Sequence, residues 1–339
     1  MPITQSFLNK VALVSFKNAT DIDHFFSQQN NGQDFIGWFN ANVAKKNFWG
    51  DIKGPGGKIL HAAINMANDS MAHDRFNHLW STEGIQTIFK QNTISLLQFL
   101  SLQSIINNET GGSLIPLTER VGSAGHPGIA YAFDRIINLK KSYNTLAGNK
   151  TCFTLFKNAN YNNAFQNLPL ANQLKNTTNA VWAGEAYPQQ SISTSTNPGI
   201  TGYVLEADFF KFRGRGFIQT TGRANYTSII DFVMNYTGTN VVVLNMKTKW
   251  AQRSNDKDIL VTVSTNAEWD DLFQNSQTLI AAKSVEVHNR LSGNYLENIK
   301  GVSPAAAAGS IRNVGKRISG SDKYADLYIN RVTQMIELL

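Results

Sequence analysis

The chain is poor in cysteine, in charge and in long apolar runs, and each scarcity excludes something. Cys152 is the one cysteine among 339 residues, so no intrachain disulfide is available and the fold rests on packing. With no histidine near it in sequence, Cys152 reads as a small buried hydrophobe. No window approaches the roughly 18 apolar residues that a membrane-spanning helix needs. The opening stretch MPITQSFLNKVALVSFKNATDIDHFF has only a short apolar segment and no cleavage site of small residues, so no signal peptide is expected and synthesis is expected in the cytoplasm. No internal repeat and no phosphate-binding glycine loop of Walker or dinucleotide type is found. His73 and His78 are badly spaced for two ligands on one helix face, and no cysteine or carboxylate cluster completes a site, so neither metal nor cofactor is expected.

Charged residues make up only 16% of the chain, and Asn, Gln, Ser and Thr fill the balance, which predicts a neutral, polar surface. A hydrophobic content of 42% excludes a disordered protein, and the length suits one large domain or a domain with an extension. Lysine and arginine exceed aspartate and glutamate by 31 to 24, a net charge of +7 that favours a polyanion as partner: nucleic acid, acidic membrane or anionic cell wall.

Periodicity predicts a mainly α (α+β) fold. Apolar residues recur at helical spacing over 94–108, 225–236, 268–290 and 322–338. Short strands are expected at 203–206, 216–220 and 240–245, forming a small sheet or hairpin beside a cleft. Polar loops run over 157–180 and 186–202, a turn is expected at Lys53–Lys58, and residues 1–80 read as an N-terminal extension of unknown role before a domain at 81–339.

The most informative run is FKFRGRGFIQTTGRANY, residues 210–226. Glycines flank Arg215, and Gln219, Thr220, Thr221, Arg223, Asn225 and Tyr226 follow. Glycine permits close backbone approach, while amide, hydroxyl and phenol groups grip a neutral, hydroxyl-rich ligand. A basic nucleic-acid-binding loop is the competing reading, but such loops are repetitive, whereas this single copy runs straight into the helical pattern of Tyr226, Ile229, Ile230 and Val233, so no nucleic acid is expected as partner.

This run resembles the G-R-G-x-I-Q-x-[ST]-G-x-x-N-Y signature of glycoside hydrolase family 19, the chitinases and the phage or bacterial lysozymes related to them. The segment Asn108, Glu109, Thr110, Gly111, Gly112 is similar to that family's H-E-[ST]-x-G element, with asparagine in place of histidine. VGKRISGSDKYADLYINRVTQ, 314–334, resembles its closing element, with Ser319 in place of asparagine. The resemblance covers roughly residues 81–339, with poor correspondence in a polar insert around 140–200. It implies a lysozyme-like bilobal fold with a substrate cleft, and no cofactor.

The resemblance also assigns roles. Glu109 is the implied general acid. The residues agree: Glu109 shares a face with Ile105 and Ile106 at the C-terminal end of a helix expected to start after Thr93 and stop at Gly111 and Gly112. Partial burial and the negative end of the helix dipole both disfavour ionisation there, so a raised pKa is expected, with an arginine or hydroxyl nearby to compensate. Inverting hydrolysis needs a second carboxylate to activate water, roughly 6.5–9.5 Å from the first. Glu119 leads, because lysozyme-like members place their base about that far beyond the acid; Asp134, Glu185 and Glu206 are the alternatives. Thr221 would hold the water, Gln219, Asn225 and Tyr226 would meet the sugar, and Arg215 and Arg213 would bind it or brace the loop. Ser319 stands at a sugar-contact position, and Arg331 is placed to pair with Glu109 or to cap a surface.

The expected activity is cleavage of the β-1,4 bond between N-acetylmuramic acid and N-acetylglucosamine in peptidoglycan, in the manner of an endolysin, tail-associated lysozyme or antibacterial effector. Chitin is the alternative substrate, and an inactive wall-binding protein the alternative class. Without a signal peptide, reaching the wall or periplasm implies a holin, a phage tail or a secretion machine as delivery partner.

Overall fold

The structure is a computed structural model that describes residues 3–29, 31–44, 65–119, 211–299 and 301–339. The chain divides into two compact units: Met1–Pro116 with Gln277–Leu339, and Leu117–Ser276. The architecture is mainly helical. Among the described residues the strands are two residues long and form two separate two-stranded sheets. No described helix is long and apolar enough to cross a membrane.

The first unit opens with α1 (Gln5–Val11), β1 (Ser15–Phe16), α2 (Ala19–Gln29) and α3 (Phe35–Trp38), the last running into a π turn at Phe39–Val43. Then follow α4 (Ser70–Leu79), α5 (Thr82–Phe89), β2 (Ile94–Ser95) and α6 (Leu96–Thr110). β1 and β2 pair antiparallel, Phe16 opposite Ile94. α6 is capped by Ser95 rather than by the expected Thr93: the Ser95 hydroxyl accepts from the Gln98 N–H and the Gln98 carboxamide accepts from the Ser95 N–H, a reciprocal box two residues further on. It stops at Gly111, as the sequence predicts.

Every residue of α6 except Glu109 is buried. Its polar residues therefore need partners inside the protein. The Trp80 indole N–H donates to Gln103 Oε1 at 2.7 Å, and Gln103 Nε2 donates to Asn107 Oδ1 at 2.7 Å. On the apolar side, Phe99 is enclosed by the rings of Phe16, Phe26, Phe35, Phe76 and Trp80, at centroid distances of 5.8, 5.9, 4.9, 6.3 and 4.9 Å. All five come from residues 1–80. The boundary expected after residue 80 is thus not where the structure divides, because the first 80 residues supply one wall of the core around α6.

The second unit begins with β3 (Leu117–Thr118), which pairs antiparallel with β4 (Arg215–Gly216), Thr118 opposite Arg215. Arg215 also bridges Thr220, closing the expected 216–220 strand into a tight loop. Four helices follow: α7 (Arg223–Met234), α8 (Val241–Ala251), α9 (Lys257–Val263) and α10 (Asn266–Asn275). The strand expected at 240–245 is the start of α8. Three valines in a row favour a strand locally, but Asn240 caps a helix by accepting from the Val243 N–H, and Val243, Met246 and Trp250 are buried at helical spacing while Val241 is 66% exposed. The core is an aromatic stack: Tyr226 lies 4.7 Å from Trp269 and 4.9 Å from Phe212, and Trp250 lies 5.3 Å from Trp269.

The periodic stretch 268–290 is two helices, α10 and α11 (Leu279–Leu291), because Gln277 and Thr278 both take left-handed φ values of 50° and 69°. With α11 the chain returns to the first unit, which ends in α12 (Pro304–Ser319) and α13 (Asp322–Glu337). These two helices pack tightly. A Cβ on Gly315 would lie 2.8 Å from Tyr328 Cδ1, so glycine lets the ring sit against the α12 backbone. The Tyr328 hydroxyl donates to the Ser101 carbonyl, tying α13 to α6. The expected elements at 203–206, 157–180, 186–202 and Lys53–Lys58 lie outside the described residues.

Two stability predictions follow from this packing. Phe99→Ala should destabilise the first unit by about 3–5 kcal/mol, and Phe99→Leu by under ~1.5 kcal/mol, read as shifts in the urea midpoint. In the second unit, burial pushes the Glu268 carboxyl up, but Arg253, the Thr265 N–H, Lys249 and the Trp250 indole outweigh it and hold the pKa at about 2. Because the folded value lies below the unfolded one of about 4.3, this stability is fully present above that pH and is lost as pH falls towards the folded value. Glu268→Gln should therefore flatten the acid limb of the stability profile over that window while lowering stability at neutral pH.

Candidate functional site

Two clusters of candidate site side chains form, one in each unit. In the second unit the motif loop is built on Gly214. The Glu119 N–H donates to the Gly214 carbonyl at 2.8 Å, and the Gly214 N–H donates to Glu119 Oε2 at 3.2 Å. Residues 95 apart in sequence thus hold each other by backbone and side chain. A Cβ on Gly214 would meet Gln219 Oε1 at 2.6 Å, Gln219 Cβ at 3.2 Å and Glu119 Oε2 at 3.4 Å. A side chain at the first glycine of the motif would therefore have to displace the Gln219 carboxamide. Gln219 itself has a left-handed φ of 54°, unusual for a residue with a side chain and a form of strain found at ligand sites. Gly214 uses one lone pair of the Glu119 carboxylate, which has about four, so capacity to accept from a water remains.

The loop is held from beneath by two buried arginines that share one carboxylate. Arg213 Nη2 lies 3.2 Å from both Asp270 oxygens, and Arg215 Nε donates to Asp270 Oδ1 at 2.8 Å. Arg215 also donates to the Lys211 carbonyl at 2.6 Å, the Tyr226 hydroxyl at 2.9 Å and Asn266 Oδ1 at 2.7 Å. Arg213 donates to the same Asn266 oxygen. Burial and then the neighbouring Arg215 lower the Arg213 pKa to about 10, against the pull of Asp270. The Tyr226 hydroxyl completes the frame by donating to the Arg213 carbonyl at 2.6 Å.

This frame corrects two expectations. Arg215 and Tyr226 are both 0% exposed and bonded inward, so they shape the loop and do not border a ligand. Arg213 likewise braces. Gln219 and Thr221 on the loop and Asn225 in the first turn of α7 are half-buried, and Asn225 Nδ2 donates to the Thr221 carbonyl at 2.6 Å, which fixes Thr221 at the mouth of α7.

In the first unit, Glu109 ends α6. Its Oε1 accepts from the Tyr324 hydroxyl at 3.0 Å and from Asn108 Nδ2 at 3.1 Å. Asn108 Nδ2 also lies 2.8 Å from the Tyr324 oxygen, and Arg331 Nη1 donates to Asn108 Oδ1 at 2.6 Å. The nearby hydroxyl and arginine expected for Glu109 are thus Tyr324 and Arg331, the arginine acting through Asn108. Arg331 is buried, so it does not cap a surface. Burial draws its pKa down to about 10, with Tyr324 and Glu109 pulling it up. Ser319 stands on the exposed last turn of α12 and spends its hydroxyl there, donating to the Gly315 carbonyl at 2.8 Å and accepting from the Ser321 N–H at 3.2 Å.

Asp134, Glu185, Glu206 and Cys152 lie outside the described residues. Among the described residues no group of three histidine, cysteine, aspartate or glutamate side chains is arranged to hold a metal. His73 is hydrogen-bonded to Asn68 and faces Asp34, while His78 is hydrogen-bonded to its own helix at Asp74. Three residues escaped the sequence reading: Asn266 and Asp270, one turn apart on α10, and Tyr324 on the Arg331 face of α13. The signal available was polar spacing against an apolar stripe, Asn266 and Asp270 beside Trp269, Leu272 and Phe273.

Comparison of the chain with protein-family models, with curated proteins and with solved structures gives no match.

Replacing Gly214 by alanine should displace the Gln219 carboxamide and loosen Glu119. The amide of residue 119 should then exchange with solvent about tenfold faster in Gly214→Ala than in wild type, while amides inside α7 keep their protection.

Proposed function

We propose that this chain is a peptidoglycan hydrolase of the muramidase type, a relative of glycoside hydrolase family 19. It would cut the β-1,4 bond between N-acetylmuramic acid and N-acetylglucosamine with inversion. The observation that carries the reading is the mutual hold of Glu119 and Gly214, with Gln219 above it: the carboxylate expected to act as base is fixed to the loop expected to hold sugar, across a long stretch of chain. Two further observations support it. Glu109 is the one residue of α6 left unburied, and it has a dedicated hydrogen-bonded shell. Asn225, in the first turn of α7, fixes the Thr221 carbonyl of the loop that carries Gln219.

In this reading Glu109 protonates the glycosidic oxygen as the bond to the anomeric carbon breaks. Glu119 takes a proton from the attacking water, which Thr221 helps to hold, and Gln219 and Asn225 meet the N-acetyl sugar. Three features favour peptidoglycan over chitin: the net charge of +7 suits an anionic wall, the single cysteine sets the chain apart from disulfide-rich chitinases, and the two glutamates are close in sequence. The protein would act on the wall or periplasm after release or injection by a separate apparatus.

Wild type should clear a suspension of purified peptidoglycan and release muropeptides with N-acetylmuramic acid at the reducing end. Glu109→Gln and Glu119→Gln, which keep acceptors for Tyr324 and Gly214, should each lose at least about a hundredfold in rate with unchanged circular dichroism. A wild type that leaves the wall intact but cleaves chitin oligomers would move the substrate to chitin. One that cleaves neither, or a Glu109→Gln that matches wild type, would overturn the enzymatic reading.

A further inference from the structure

We propose that Tyr324 is a positioning residue for the acid: with Asn108 it occupies Oε1 of Glu109, and so places the transferable proton on Oε2. The inference rests on the acid role proposed for Glu109.

The orientation of every group in this shell is fixed by what each can donate. Arginine has donors only, so the side chain of Asn108 must turn its oxygen to Arg331 Nη1, 2.6 Å away. Its Nδ2 is thereby turned to Glu109 Oε1 at 3.1 Å and to the Tyr324 oxygen at 2.8 Å. Because the Tyr324 oxygen accepts from Asn108, its single hydrogen is free to go to Glu109 Oε1, 3.0 Å away. Two hydrogens therefore converge on Oε1, and a third on the same oxygen would collide with them. The proton of the neutral acid is left to Oε2.

The same shell serves the acid after the proton has gone. When the Oε2–H bond breaks, the proton passes to the glycosidic oxygen and the electron pair stays on Glu109. The leaving sugar keeps the electrons of its bond to the anomeric carbon, and the carbon takes up hydroxide from the water whose other proton goes to Glu119. The new negative charge on Glu109 meets donors already in place, with the Arg331 cation behind Asn108. Tyr324 remains a donor across the working range: burial first, then the Glu109 charge and its hydrogen bond, push the phenol well above its usual value, with Arg331 and Asn108 pulling the other way.

Tyr324→Phe removes the donor and keeps the ring. On peptidoglycan it should lower kcat about tenfold with KM changed by less than about twofold, and the high-pH limb of the rate profile should move up by about half a unit or more, because the carboxylate form has lost a hydrogen bond. A 13C titration of the Glu109 carboxyl, which needs no turnover, should move the same way. If Glu109→Gln is inactive while Tyr324→Phe keeps the wild-type kcat, limb and titration, the positioning role is overturned and the acid role stands. If Glu109→Gln matches wild type, the acid role itself falls and takes this inference with it.

Discussion

A helix with no solvent face must be wrapped on every side, and α6 imposes that demand on the whole of the first unit. Its apolar residues draw in the rings of the first 80 residues at Phe99, polar side chains along it meet partners in the interior, Trp80 on Gln103 and Gln103 on Asn107, and its backbone takes the Tyr328 hydroxyl on the Ser101 carbonyl. Burying polar side chains is costly where they lack a hydrogen bond, and the Gln103 carboxamide meets that demand on both its oxygen and its nitrogen. The same wrapping gives Glu109 its setting. It is the last charged group before the Gly111 stop, and the helix that encloses α6 from the C-terminal side carries both Tyr324 and Arg331 to it.

The second unit solves a different problem. A glycine-rich loop that places Gln219 in a left-handed conformation needs rigid support, and here the support is ionic. Arg213 and Arg215 are buried and converge on Asp270 and Asn266, one turn apart on α10. α10 is in turn fixed by Glu268, whose carboxylate is gripped by Arg253, Lys249 and Trp250. Removing one partner from such a buried network costs far more than the network contributes in water, because the remaining charge is left without compensation. The arginines of the motif are thus foundations for its amides and hydroxyls.

The sequence carried much of this, unevenly. Helices with a clear apolar stripe and a stop signal, such as α6 ending at Gly111 and α13 from Asp322, are legible because both signals are local. The valine run at the start of α8 favours a strand locally, while the burial of Met246 and Trp250 that overrides it is not a local signal. The turn at Gln277 and Thr278 is hidden inside continuous periodicity, since neither residue announces a left-handed φ. Residues 1–80 carry no functional motif and read as an appendage, although their rings close the core on Phe99; ring-to-ring packing between separate segments leaves no pattern in sequence. Glu109 and the motif loop stand out in the sequence by residue type and spacing. The contact of Glu119 with Gly214 and the shell of Asn108, Tyr324 and Arg331 depend on chain reversals that spacing does not encode.

The division of the chain at Pro116 and Gln277 also sets an order of events during synthesis. The second unit is continuous, so it has all of its residues once Ser276 has emerged and is able to fold as a unit. The first unit is interrupted, and α6 must wait, partly bare, for the helices that follow Gln277. Glu109 acquires Tyr324 and the Arg331–Asn108 link only after the ribosome has read through residue 331. A chain that stops short of residue 324 therefore holds the Glu109 carboxylate without either of these contacts.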